Sequence, residues 1–162
     1  MLIGVLSDTH IPTRAEKLPD KLIEQLEKVD LIIHAGDFVQ IEVLEILEKI
    51  AKVEAVFGNM DEEELKMKLP GKKVIEVEKV KIAIVHGCDI PWDVEKRVPC
   101  KCCKERVDAI VYGHTHLAFN KKIGKILYFN PGSPTDQVFL SSNTFGLLEV
   151  HGKEIKGRIV EL

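Results

Sequence analysis

The chain has 162 residues, 45% of them hydrophobic and 30% charged, with a formal net charge of −3 and a pI near 6.1. That length suits one core burying roughly 68–70% of the unfolded surface, so a single domain over residues 1–162 is expected. The acidic balance argues against a stable nucleic-acid complex, which draws its affinity from clustered Lys and Arg, and no run of about eighteen apolar residues is present to span a membrane.

Along the chain, MLIGVLSDTH lacks a basic flank and a small-residue cleavage site, so it reads as a first strand (residues 2–7) and predicts a cytoplasmic protein. A helix over 20–28 follows Pro19, then a strand over 31–35, an amphipathic helix over 41–49 and a strand over 52–57. This βαβαβ order predicts a parallel sheet with right-handed crossovers. The second half differs: 74–87 reads as two strands about a tight turn at Glu78 and Lys79, followed by a helix over 93–106 and a strand over 108–112. Two hairpins close the chain, 118–129 turning at Ile123 and Gly124 and 144–162 turning at His151 and Gly152, with the turn-rich NPGSPTD between them. The pattern predicts two sheets packed on each other with helices outside.

Five apolar runs end directly in residues that ligate metals: Asp8 and His10 after GVLS, Asp37 after LIIHAG, Asn59 after VEAVFG, His86 after IAIV, and His114 and His116 after AIVYG. In an open α/β sheet the carboxyl ends of the strands gather at one edge, so these ends form one site. Four imidazoles, two carboxylates and an amide oxygen exceed the needs of one zinc-like ion and suit two. A bridging group is then required, and the two oxygens of Asp37 fit that role.

Two divalent ions, two aspartates and one bound hydroxide leave about one net positive charge, so the site should attract an anion. A phosphodiester gains a second negative charge as hydroxide attacks, which predicts hydrolysis of a phosphoester. Each short motif is weak when taken singly: Asp-x-His is common in loops, Gly-Asp and Gly-Asn are ordinary turn pairs, and a histidine after a buried strand often serves the core.

As an ordered set, SDTH, HAGD, GN, HG and GHTH (residues 7–116), with NPGS at 130–133, resemble the calcineurin-like metallophosphoesterase family and its compact bacterial and archaeal phosphodiesterase branch. The resemblance implies a four-layer αββα sandwich of two mixed β-sheets flanked by helices. It also implies that Asp8, His10 and His116 bind one metal, that Asn59, His86 and His114 bind the other, and that Asp37 bridges. Catalytic roles fall to Asp37, Asn59 and His114, with Asn59 also touching substrate. The ions implied are Mn²⁺ first, then Ni²⁺, Co²⁺, Fe or Zn²⁺. Where many members of the family carry His after Gly-Asn, this chain carries Met60, so a proton donor for the leaving group is missing. The expected activity is hydrolysis of small phosphodiesters with good leaving groups, such as aryl esters or nucleoside cyclic phosphates.

Several residues keep two readings. Arg14 could meet a substrate phosphate or be a surface arginine, and Trp92 could stack on an aromatic substrate group, anchor its loop or sit at a subunit contact. His34 could support a ligand or be a satisfied core histidine. His151 lies in a hairpin turn and receives no role. Cys88, Cys100, Cys102 and Cys103 read as reduced thiols, because Cys100 and Cys103 supply only half of a zinc knuckle. Ser7, Ser133, Ser141 and Ser142 have no base pattern for a serine nucleophile. The family's fold also includes a vacuolar sorting subunit that uses this edge as an interaction surface, so a protein-binding scaffold is the main alternative, with broad phosphomonoesterase or nuclease activity behind it and a homo-oligomer left open. The complete set of ligand positions favours the enzyme.

Overall fold

The structure is a computed structural model that describes residues 1–87, 106–136 and 142–162. Its first half runs β1 (Leu2–Leu6), α1 (Asp20–Leu26), β2 (Leu31–His34), α2 (Ile41–Glu48), β3 (Val53–Ala55) and α3 (Glu63–Lys68). The second half is described as strands: β4 (Lys72–Val77), β5 (Val80–Val85), β6 (Ala109–Tyr112), β7 (Phe119–Ile123), β8 (Ile126–Asn130), β9 (Thr144–His151) and β10 (Glu154–Glu161). They form two five-stranded mixed sheets, ordered β10-β9-β1-β2-β3 and β4-β5-β6-β8-β7.

Alternation along the strands decides what each face buries. Ile3, Val5 and Ile33 of the first sheet point inward and pack with Ile82, Ile84, Val111 and Phe129 of the second, giving a buried layer between the sheets. Leu6 and Ile32 point the other way, onto Leu22 and Leu26 of α1 and Leu44 and Leu47 of α2. Fully burying each such side chain contributes about 1.5–3 kcal/mol. Helix α1 lies so close to β1 that a Cβ on Gly4 would stand 2.6 Å from Leu26 Cδ2. Helix α3 joins the same layer through Leu65.

β1, β2 and β3 are mutually parallel, as the βαβαβ pattern predicts, and so are β5, β6 and β8. The carboxyl ends of these six strands carry every loop of the site described below. The final hairpin returns to the first sheet, where β9 pairs antiparallel with β1. Both sheets are therefore mixed, and the three described helices cover the outer face of the first, in keeping with the α/β sandwich expected.

Some boundaries move. The last two hairpins turn at Gly124–Lys125 and Gly152–Lys153, one residue later than predicted, because the glycines hold φ of +61° as the first loop residue. Helix α3 was not expected: six residues are too few to display a 3.6 period, although acidic Glu63 and Glu64 open it and Lys66 and Lys68 close it. The helix expected over 93–106, the four cysteines, Trp92 and Ser141 lie outside the described residues. Among the described residues no helix is long and apolar enough to cross a membrane.

Candidate metal centre

Six non-glycine residues at the strand ends hold left-handed backbone: Asp8 (φ 55°), His10 (43°), Asp37 (60°), Val39 (83°), His114 (74°) and His116 (60°). Each such position costs on the order of 1–3 kcal/mol and persists only where the surroundings over-determine it. Five of the six are predicted ligands. The loops are cross-braced accordingly, with Asp8 N–H donating to Gly36 O and His10 N–H to Asp37 O, both at 3.0 Å.

Asp8 is fully buried. Its Oδ2 accepts from Ser7 Oγ (2.5 Å) and from the His114 backbone N–H (3.0 Å), which ties the first sheet to the second. The approach is possible because residue 113 is glycine: a Cβ there would stand 1.7 Å from Ser7 Oγ. Burial pushes the Asp8 carboxyl up to about 6 despite the nearby His86 and His116, the response of a carboxylate short of compensating charge. Its Oδ1 lies 3.5 Å from His116 Nε2 and 3.8 Å from His10 Nε2, and the two imidazole nitrogens are 3.2 Å apart. Burial lowers the His10 pKa, leaving a neutral imidazole with a lone pair to give.

Asp37 uses its oxygens unequally. Oδ1 accepts the Met60 N–H at 2.8 Å, whereas Oδ2 lies 3.1 Å from His86 Nε2 and 3.5 Å from His10 Nε2. The Asn59 Oδ1 is 3.1 Å from both His86 Nε2 and His114 Nδ1. His86 Nδ1 lies 2.7 Å from Ala35 O and must donate its proton there, so the neutral ring presents the Nε2 lone pair to two oxygens. Burial alone would lower the His86 pKa, but the Asp37 hydrogen bond and the Asp8 and Asp37 charges raise it. Burial likewise acts to raise Asp37, but His86, the Met60 N–H and His10 together outweigh it, so the Asp37 pKa falls. Lone pairs facing carboxylate oxygens in this way call for a proton or a cation between them.

The donors divide into two groups, Asp8–His10–His116 and Asp37–His86–His114, each with its ligand atoms within 4.8 Å of one another. Nitrogen and carboxylate donors in two adjoining triads fit two borderline divalent ions. All seven predicted ligand residues meet at this edge, and Asp37 Oδ2 lies near both groups, through His86 Nε2 in one and His10 Nε2 in the other. A cavity of about 540 Å³ opens over them, lined by Asn59, His114, Met60 and Arg14 among others. Arg14, half-buried, thus stands at the site.

His34 is a core histidine that serves the site. Gly36 N–H donates to its Nδ1 (3.2 Å), so Nε2 carries the proton and faces Thr9 Oγ1 at 3.2 Å, and the ring stacks on Phe38 with centroids 3.5 Å apart. Burial holds its pKa well below the ordinary histidine value.

Sequence reasoning missed four supports. Buried Asp61 accepts backbone N–H groups from Asp37 (3.1 Å), Val39 (2.7 Å) and Gly58 (2.7 Å), locking two ligand loops together. Ser133 Oγ donates to Asp8 O and Thr135 Oγ1 to Thr9 O, each at 2.7 Å, and buried Asp136 is hydrogen-bonded to His116 Nδ1. The last three follow β8, a sixth strand end whose NPGSPTD reads as a turn and, through NPGS, as part of the family resemblance, with no supporting role assigned to its side chains.

Two mixed sheets whose parallel strands bring such donors to one edge have the architecture of a metallophosphoesterase. The chain belongs to the calcineurin-like phosphoesterase superfamily, whose domain matches residues 1–153. It is 42% identical to a probable metallophosphoesterase of Methanocaldococcus jannaschii over 137 residues, covering 83% of this chain and 69% of that protein. A solved archaeal phosphodiesterase superposes with a TM-score of 0.75 at 28% identity, covering 99% of this chain and 100% of the other. Vps29 of Chaetomium thermophilum has the same fold, with a TM-score of 0.82 at 22% identity over 99% and 97% of the two chains.

Proposed function

We propose that this protein is a divalent-metal-dependent phosphodiesterase acting on small diesters with good leaving groups. The meeting of two donor triads at Asp37 Oδ2, beneath an open cavity, carries this reading. Asp8, His10 and His116 would hold one ion, Asn59, His86 and His114 the other, with Asp37 shared. Two such ions supply Lewis acidity and bring the pKa of bound water toward about 7.

The chain's own residues account for the rest. Asn59 Oδ1 faces His86 and His114, which leaves the amide NH₂ as a donor for a phosphoryl oxygen at the cavity. Arg14 lines the same cavity with a charge suited to an anionic diester. Met60, 54% exposed, occupies the wall beside Asn59 and has no proton to give, so leaving groups that depart unprotonated are favoured.

The test is a substrate panel on protein stripped of metal and reloaded with Mn²⁺, Ni²⁺, Co²⁺ or Zn²⁺. Aryl diesters and nucleoside cyclic phosphates are expected to turn over, with alkyl monoesters slower by roughly 10²–10⁴-fold, the usual contribution of a general acid. Asp37→Ala and His86→Ala are expected to abolish turnover. Efficient alkyl monoester hydrolysis contradicts the specificity, and undiminished activity in both variants contradicts the site.

A further inference from the structure

We infer that Asp136 is a positioning residue: it holds His116 with Nε2 turned toward Asp8 and His10, and so sets how tightly that triad takes a divalent cation. The inference rests on the metal reading above and adds a residue to it. Asp136 is fully buried, although a carboxylate is costly to bury unless its charge has a specific partner. Its Oδ2 is hydrogen-bonded to His116 Nδ1. An ionised carboxylate can only accept, so the imidazole carries its proton on Nδ1 and keeps the Nε2 lone pair free. That Nε2 is the atom 3.2 Å from His10 Nε2 and 3.5 Å from Asp8 Oδ1.

The Asp136 loop cannot drift away from the Asp8 loop. Asp136 N–H donates to Ser133 Oγ at 3.1 Å, and the same hydroxyl donates to Asp8 O at 2.7 Å. Ligand and supporting carboxylate are therefore mounted on one braced unit. The other triad is built differently, since His86 Nδ1 gives its proton to the neutral Ala35 carbonyl. Asp136 is hydrogen-bonded to a ligand of the Asp8–His10–His116 triad, so changing it should alter one binding step more than the other. Partners of this kind, when removed, cost metal affinity about 10–100-fold.

The experiment is calorimetric titration of metal-free protein with Zn²⁺, comparing wild type, Asp136→Asn and Asp136→Ala, alongside ¹⁵N imidazole spectra of the metal-free wild type. Both variants are expected to weaken one binding step by roughly 10–100-fold while the other step stays within about twofold. The His116 ring is expected to be the Nδ1–H tautomer, a signature that general loosening of the fold would not produce. Should the variants fail to fold, the wild-type spectrum decides, because an Nε2–H tautomer for His116 overturns the inference. Wild type that binds two ions, with both steps unchanged in the variants, overturns the inference alone. Wild type that binds no ion overturns the metal reading, and the inference falls with it.

Discussion

Asp37 and Asp61 stand 24 positions apart and do opposite work with the same functional group. Asp37 leaves one oxygen facing two imidazoles, while Asp61 spends its carboxylate on three backbone N–H groups of the Asp37 and Asn59 loops. Replacing Asp61 with Ala strands three buried donors at about 1–3 kcal/mol each, so a loss of at least about 3 kcal/mol is expected in urea unfolding. Asp61→Asn, which keeps an acceptor, should lose less, and equal stability of Asp61→Ala and wild type would contradict the bracing role. The contrast also shows what could be read from sequence. Ligand-type residues at strand ends are visible because apolar runs announce the strands and the ends must converge. Asp61 and Asp136 are invisible because aspartate in a turn has many uses, and only the tertiary path shows which backbone groups or ring it meets.

At the scale of elements, the edge strands of the two sheets are joined by charge. Glu54 of β3 lies 2.6 Å from Lys52 Nζ and 2.7 Å from Lys73 Nζ of β4, so one carboxylate closes the border between the sheets. Burial would raise the Glu54 pKa, but the two ammonium groups outweigh it and hold the carboxyl below its ordinary value. A depressed carboxyl pKa stabilises the fold above the unfolded value, and that contribution is lost as pH falls through the folded one. Glu54→Gln should therefore cost roughly 1 kcal/mol at pH 7, a figure kept small because both lysines remain substantially solvated. The deficit should shrink as pH is lowered below about 4.5. Thermal melts from pH 3 to 7 measure this, and a deficit that grows on acidification would contradict the assignment. The parallel strands were legible as short apolar runs and the last two hairpins from Gly124 and Gly152. Helix α3 was not, since its six residues are held by Leu65 in the shared core and show no period of their own.

For the whole molecule, the left-handed residues and the buried Asp8 carboxylate place the cost of the fold at the site edge. Cations bound there would offset it by linkage. An ion at one hundred times its dissociation constant contributes about 2.7 kcal/mol. With about 2–4 °C per kcal/mol for a domain of this size, two ions are expected to raise Tm by roughly 10–20 °C over chelated protein. Asp37→Ala should lose most of that increment in scanning calorimetry, and a chelator-insensitive Tm in wild type would count against the account. On the proposed reading, seven residues from five strand ends make one site for two ions. Native mass spectrometry of Mn²⁺-loaded protein measures this directly: the wild-type chain is expected to carry two ions, and a chain that carries one or none at saturating metal contradicts the account.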